Sequence, residues 1–213
     1  MQSILLVKLL LALVSGYLLG SVNTSIIAGK IFGGDPRKKG SGNAGLTNTM
    51  RVHGAKAALL VLVGDVLKAA LACFIGYILT ANELNSGPMF DTAAPNMGLM
   101  LAGTSCVFGH IFPIYFQFKG GKGVLTTAVV ILMMDWRVGA ILLCLFLIVM
   151  LTSRYVSVGS MAAAAGLPVV FAILEKQAYS MVYAVAIALL IIFMHRKNIG
   201  RLIKGTEPKI KKN

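Results

Sequence analysis

Apolar runs close to the roughly 20 residues that a helix needs to cross hydrocarbon recur along almost the entire 213-residue chain. The gaps between them are too short to hold a separate soluble domain. Inside a bilayer every backbone N–H and C=O must be satisfied within the chain, which leaves helices as the solution for runs of this length. Residues 1–213 therefore read as one all-α, polytopic integral-membrane domain. The charge content agrees: Asp, Glu, Lys and Arg make up 13% of the chain against about 25% in an average soluble domain, which excludes an ordinary water-soluble globule.

The predicted spans are Ile4–Ile27, Ala57–Thr80, Met97–Phe116, Val124–Met134, Val138–Thr152, Val156–Leu174 and Tyr179–Met194, seven transmembrane helices in all. The fourth rises only about 16 Å as a helix, so it has to borrow flanking residues, cross a thin place or re-enter. The first run, Ile4 to Leu19, has no basic stretch before it, carries Lys8 within it and shows no small-residue cleavage site. That is the pattern of a retained span rather than a removed signal.

With seven spans the connections alternate sides. Segments 30–56, 117–123, 153–155 and 195–213 hold 6, 2, 1 and 7 Lys or Arg, together 16 of the 20, and only two acids, Asp35 and Glu207. The other side holds Glu83, Asp91, Asp135 and Glu175 with Arg137, Lys176 and, near the same end of the first span, Lys8. Lys and Arg accumulate in cytoplasmic connections, which puts the N-terminus outside and the C-terminus in the cytoplasm. Omitting the short fourth span would set Arg154 and the lysine-rich tail on opposite faces from the first loop. The same asymmetry accounts for the net charge of +13 without nucleic acid as a partner, since aromatic residues are only 8% and no nucleic-acid-binding motif occurs.

Cys73, Cys106 and Cys144 lie in separate apolar runs without a C-x-x-C pair, as small packing residues do. Asp65 and Lys68 sit within the second span, three residues apart and on one helical face. A pair that satisfies itself while joining helices is the simpler reading of them, and a direct catalytic part the alternative.

The longest basic-side connection, Gly33 to Arg51, reads GGDPRKKGSGNAGLTNTMR. Glycines at 40, 42 and 45 let the backbone turn with positive φ and bring successive N–H groups toward one anion. Ser41, Asn43, Thr47 and Asn48 offer hydrogen bonds to oxygens, and Arg51 a bidentate charged contact. Taken alone, the segment fits a phosphate site and a solvated basic loop equally well. It is neither a P-loop, whose G-x-x-x-x-G-K-[ST] spacing is absent, nor a dinucleotide fingerprint. A second connection runs from Gly109-His110-Ile111-Phe112-Pro113 through Phe116 and Phe118 into Lys119-Gly120-Gly121-Lys122-Gly123. There Lys122 lies at a helix start, where the dipole also favours anions, and the aromatics can border an acyl chain. Ser153-Arg154-Tyr155 with Ser157 and Ser160 makes a third cluster, and His195-Arg196-Lys197-Asn198 followed by Lys204 to Lys209 a fourth. Four groupings of glycine, hydroxyl, amide and cation on one face exceed what solvated loops require and point to an anionic small ligand.

What is missing narrows the chemistry. None of His53, His110 and His195 has a carboxylate at the fifth following position, so a His-x-x-x-x-Asp acyltransferase base is unsupported. No G-x-S-x-G elbow and no Asp cluster for Mg²⁺ occurs, and no metal or cofactor is expected. Catalysis on this face has to work by positioning and by positive charge.

Four segments, GSGNAGLTNTMR (Gly40 to Arg51), GHIFPIYFQFKGGKG (Gly109 to Gly123), SRYVSVGS (Ser153 to Ser160) and HRKNIGRLIKGTEPK (His195 to Lys209), together resemble the bacterial integral-membrane acyl-phosphate:glycerol-3-phosphate acyltransferases. After Gly20-Ser21 the chain departs from that pattern, reading Val22-Asn23-Thr24 where the family usually has proline. The resemblance implies seven spans, the N-terminus outside, and transfer of a fatty acyl group from acyl phosphate to the 1-hydroxyl of glycerol 3-phosphate, giving lysophosphatidic acid and phosphate at the cytoplasmic side of the bacterial inner membrane. It implies that Gly40, Ser41, Gly42 and Asn43 hold the acyl-phosphate phosphoryl group, with Thr47 and Asn48 shaping the turn. Arg51, Lys122 and Ser160 would fix phosphates, and His195 and Asn198 would orient glycerol 3-phosphate. His110, Gly120, Gly121, Ser153 and Arg154 complete the binding set. The expected partners are the two small substrates and the lipid bilayer. A transporter for a phosphorylated metabolite would use the same cations but should carry mid-membrane polar groups and an internal repeat, and no repeat is evident. A membrane scaffold would explain the helices but not the four polar clusters.

Overall fold

The computed structural model describes residues 2–82, 97–174 and 178–210, and within them all regular secondary structure is helical. Glu83, Asp91, Glu175 and Lys176, counted above on the outer side, lie outside the described residues. The chain forms two compact units, Met1–Asp135 and Trp136–Asn213. The first contains α1 (Gln2–Ser21), α2 (Thr24–Phe32), α3 (Leu46–Thr80), α4 (Met97–Ile111) and α5 (Val124–Met134). The second contains α6 (Trp136–Ser153), α7 (Val156–Leu174), α8 (Ala178–Met194) and α9 (Arg196–Ile203).

In the first unit the interior is made of small side chains. Ala12, Ala57, Ala69, Ala72, Cys73, Ala102 and Cys106 are fully enclosed, while Leu6, Leu10, Leu67 and Ile78 face outward. In water this would be the wrong way round, because large apolar faces left exposed drive association. In lipid the outward Leu and Ile cost nothing, and small residues inside let helices approach to backbone contact. The α1–α4 seam shows it: a Cβ added at Gly16 or Gly20 would strike the carbonyls of Ala102 or Cys106. Ser105 donates to the Leu13 carbonyl (2.6 Å) and Tyr17 to that of Phe112 (2.8 Å) across the same seam. The second unit repeats the pattern, with Leu151, Ile173, Val182 and Leu189 outward and Gly159 of α7 against the Phe146 carbonyl of α6.

Among the described residues, five segments are long and apolar enough to cross a membrane: Ser3–Phe32, Leu46–Thr80, Met97–Phe116, Trp136–Ser153 and Val156–Leu174. Met181–Met194 with Arg196–Ile203, bent by 54°, makes a sixth if counted as one span. Val124–Met134 stays at 11 residues, because left-handed Gly123 (φ 78°) opens it and extended Asp135 (φ −149°) closes it. Two spans differ in shape from the sequence expectation. Ile4–Ile27 is not one helix: it breaks at Val22-Asn23, where the Asn23 side chain accepts from Ile26 N–H (3.1 Å) and caps α2. α3 begins at Leu46, well before Ala57, and is interrupted at Gly54, whose φ of 82° is outside the helical region.

Candidate active site

In the first unit, the connection between α2 and α3 is organised by two side chains. Asp35 opens a 3-10 turn over Pro36–Lys38 by accepting from Arg37 N–H (2.9 Å). It also takes Nε–H and Nη2–H bonds from the same guanidinium at 2.6–3.0 Å. That hydrogen-bonded pairing, against a smaller opposing effect of burial, holds the Asp35 carboxyl below the usual carboxylate range. The remaining nitrogen of Arg37, Nη1, donates to the carbonyls of Lys119 (2.9 Å) and Phe116 (3.3 Å), which ties this loop to the one after α4. Buried Asn48, in the first turn of α3, is the second organiser. Its Oδ1 accepts from Ser41 N–H (2.8 Å), and its Nδ2 donates to the carbonyls of Pro36, Asn43 and Lys39 at 2.8–3.2 Å. Between these anchors Gly40 and Gly42 take positive φ (60° and 72°), as expected, whereas Gly45, given the same expectation, is extended (φ −165°) because it caps the start of α3.

The loop after α4 folds back on the helix it leaves. Gly120 N–H donates to the Ile111 carbonyl and Gly121 N–H to that of His110, both at 3.1 Å, closing carbonyls that a helix end leaves open. A Cβ at Gly121 would strike His110 Nε2 and lie 2.5 Å from the Ala44 carbonyl oxygen. The two glycine-rich loops therefore meet at Gly121. Lys122, the next residue, is half-buried, and Arg51 lies exposed on α3 one turn after Asn48. Behind α5's start, the buried hydroxyls of Thr126 and Thr127 have no hydrogen-bond partner. An open apolar recess of about 360 Å³, lined by Ser15, Leu18, Leu19, Val22, Ile75 and Tyr115, adjoins the α1–α2 break.

Asp65 and Lys68 form the expected ion pair (2.8 Å), but the pair is part of something larger. Thr24, first residue of α2, donates to Asp65 Oδ1 (2.6 Å). The Lys68 ammonium also reaches the Val22 carbonyl (3.0 Å) and His110 Nδ1 (2.9 Å). The charged pair thus joins the α1–α2 break, α3 and α4.

In the second unit Glu207 is the organiser, buried at 8% exposure. It accepts from Ser157 Oγ–H (2.7 Å) and Asn198 Nδ2–H (2.6 Å) on one oxygen and from Arg201 Nε–H (2.7 Å) on the other. Burial alone would raise its pKa, yet these three donors together hold it below the ordinary value of 4.5. Arg154, in the left-handed region (φ 64°), holds the tail by one backbone and one side-chain bond: Ile210 N–H donates to its carbonyl (2.9 Å), and its guanidinium donates to the Ile210 carbonyl (3.0 Å). Ser153 and Ser160 each donate to the carbonyl four residues back. Buried His195 sits at the α8–α9 bend, with Nδ1–H donated to the Ile191 carbonyl (2.8 Å). A carbonyl only accepts, so Nδ1 carries the proton and Nε2 keeps a lone pair in the neutral ring.

Within the first unit Gly40, Ser41, Gly42, Asn43, Thr47, Asn48, Arg51, His110, Gly120, Gly121 and Lys122 lie on two mutually bonded loops and the helix ends that carry them. Within the second, Asn198 shares Glu207 with Ser157, and Ser153 and Arg154 make the turn that holds the tail. The roles of Glu207, Arg37 and Thr24 carry no motif. One clue was that the four basic segments of the sequence hold only two acids, Asp35 and Glu207, and each proves to be the centre of a clamp within its own unit. Among the described residues, no group of three His, Cys, Asp or Glu gathers that could hold a metal ion.

Residues 10–205 match the glycerol-3-phosphate acyltransferase family. The glycerol-3-phosphate acyltransferase of Coxiella burnetii (strain RSA 493 / Nine Mile phase I) is 38% identical over 203 residues, covering 95% of this chain and 98% of that protein. The one from Geobacillus kaustophilus (strain HTA426) is 40% identical over 203 residues, covering 94% and 95%. A crystal structure of PlsY (YgiH), an integral membrane glycerol 3-phosphate acyltransferase in its glycerol 3-phosphate form, superposes with a TM-score of 0.82 at 32% identity, over 95% of this chain and 96% of that one. Its lysophosphatidic acid form gives 0.79 at 31% identity. The outward apolar faces, the bonded glycine loops and these likenesses lead to one conclusion: the chain is a membrane-embedded acyltransferase and belongs to the glycerol-3-phosphate acyltransferase family.

Proposed function

We propose that the chain transfers a fatty acyl group from an acyl phosphate to the 1-hydroxyl of glycerol 3-phosphate, releasing lysophosphatidic acid and phosphate on the cytoplasmic side of a bacterial inner membrane. In this reading residues 1–213 act as one domain with seven spans, α5 being the short fourth, the N-terminus outside and the C-terminus inside. The observation that carries it is the pair of glycine-rich loops joined through Arg37 and meeting at Gly121, with Lys122 on the second loop and Arg51 on the helix that follows the first. The glycerol 3-phosphate form of the similar solved enzyme supports the acceptor.

Gly40, Ser41, Gly42 and Asn43 take the phosphoryl group of the donor, in the turn that Thr47 and Asn48 shape. Arg51, Lys122 and Ser160 hold phosphate oxygens, His195 and Asn198 orient the acceptor, and His110, Gly120, Gly121, Ser153 and Arg154 complete the substrate-binding set, Ser153 and Arg154 by supporting the third loop. The acceptor hydroxyl oxygen bonds to the acyl carbon, the carbon–oxygen bond to phosphate breaks, and the hydroxyl proton leaves on the departing phosphate. Because phosphate is already a good leaving group, no acyl-enzyme is required. Arg51 and Lys122 stabilise the charge that gathers as the bond breaks. Hydrocarbon enters from lipid, and an apolar recess of the kind beside Val22 suits it.

The test is purified protein in detergent given acyl phosphate and glycerol 3-phosphate, with an acyl thioester as a parallel donor. Lysophosphatidic acid formed from acyl phosphate, and lost in Arg51→Ala, is expected. Product from the thioester alone would refute the donor assignment, and a fully active Arg51→Ala enzyme the site. A His195→Ala enzyme that loses turnover at saturating substrate with unchanged KM would make His195 a base and overturn proton transfer to phosphate.

A further inference from the structure

We propose that Lys68 is a positioning residue of this site: from inside the membrane span it fixes the proton of His110 and, through that ring, the Gly120-Gly121-Lys122 turn. An ammonium has three N–H donors and no acceptor. Those of Lys68 go to Asp65 Oδ1, the Val22 carbonyl and His110 Nδ1, at 2.8, 3.0 and 2.9 Å, so all three are used. His110 Nδ1 must then accept, which puts the ring proton on Nε2. Nε2 is the atom that abuts Gly121, at the point where the Ala44 carbonyl of the other loop also arrives. The His110 carbonyl accepts from Gly121 N–H as well, so one residue holds the turn by its backbone and packs against it with its ring. Asp65 is fixed in its turn by Thr24, and the captured Val22 carbonyl is one that the α1–α2 break sets free. A partner that sets the tautomer and tilt of a histidine tunes what the histidine touches, as outer-shell groups do in metal sites. Here the thing tuned is a backbone turn carrying a cation.

The test has an arm that does not depend on the acyl-transfer reading. ¹⁵N-histidine NMR of the wild-type protein in detergent reports which ring nitrogen of each of the three histidines is protonated, with signals assigned by single His53→Gln and His195→Gln changes. His110 should be neutral with the proton on Nε2, and Lys68→Met should abolish that fixed state. The kinetic arm rests on the proposed reaction: Lys68→Met should raise KM for at least one phosphate-bearing substrate by about tenfold or more, with a smaller change in kcat, because misplacing a binding group by ~1 Å can cost as much as a hundredfold. A wild-type His110 that is protonated on Nδ1, or doubly protonated, overturns the inference even if Lys68→Met fails to fold. So does a folded Lys68→Met protein with both KM values unchanged. Wild-type protein that makes no lysophosphatidic acid refutes the reaction and leaves the tautomer measurement standing.

Discussion

Replacing Glu207 with glutamine tests whether one buried carboxylate holds the end of the second unit. The native group accepts three hydrogen bonds, two from neutral donors and one from the Arg201 guanidinium. Glutamine keeps one oxygen. If that oxygen stays with Ser157 and Asn198, the amide NH₂ is turned on Arg201 Nε–H, donor against donor. One charged bond is lost, at about 1.5–3 kcal/mol, and two bonds to a carboxylate become neutral ones worth roughly half as much. Arg201 is 27% exposed and recovers some hydration, so the net loss should be about 3 kcal/mol. If the loss opens the tail locally, tryptic cleavage at Lys204 and Lys209 should accelerate about a hundredfold, since cleavage follows the open population. If it is felt globally, melting in detergent should fall by roughly 6–12 °C. Acid adds a check. Because the folded pKa of Glu207 is depressed, its stabilisation is complete above its ordinary 4.5 and disappears as pH falls through the folded value. The gap between wild type and Glu207→Gln should therefore close on acidification. Equal cleavage rates and melting points at neutral pH would refute the clamp.

Gly121→Ala puts a methyl group on His110 Nε2 and the Ala44 carbonyl, so overpacking of about 1–3 kcal/mol should lower melting in detergent by roughly 2–12 °C and reduce activity in the acyltransferase assay; an unchanged melting temperature would refute the close approach. Arg37→Lys should behave like Arg37→Ala, because a single ammonium cannot replace a fork that holds Asp35 and two carbonyls of the next loop; activity near wild type in the lysine variant would refute this. Gly20→Leu drives side-chain atoms into the Cys106 carbonyl and should sharply lower folded yield and melting temperature in detergent. At Gly200, in α9, a Cβ meets nothing within 4 Å, so Gly200→Ala should stabilise the protein by about 0.5–1 kcal/mol, read as a higher melting temperature.

Apolar run length located most helices closely, since hydrocarbon selects for it: Val124–Met134 and Val156–Leu174 have the predicted bounds, and Trp136–Ser153 extends its prediction by three residues. Less legible were the places where polar residues are helical. Thr47, Asn48 and Thr49 read as loop, yet they begin α3, because Asn48 takes its partners from the preceding turn rather than from water. The break at Val22-Asn23 was hidden inside an apolar run, and its stabilising partner, Lys68, is 46 residues away. The two glycine-rich loops were visible as composition and spacing. Their mutual attachment was not, since Arg37 reaches carbonyls 79 and 82 residues further on, and backbone carbonyls leave no mark in a sequence. Glu207 was noticeable only for being scarce.

A lysine and an aspartate at membrane depth usually advertise a route for ions, and the way Lys68 is bonded closes that route. Relaying a proton requires a donor that can swing from one acceptor to the next, whereas each hydrogen on this ammonium is already committed to a different helix or break. The pair is thereby a fixed joint between helices rather than a relay.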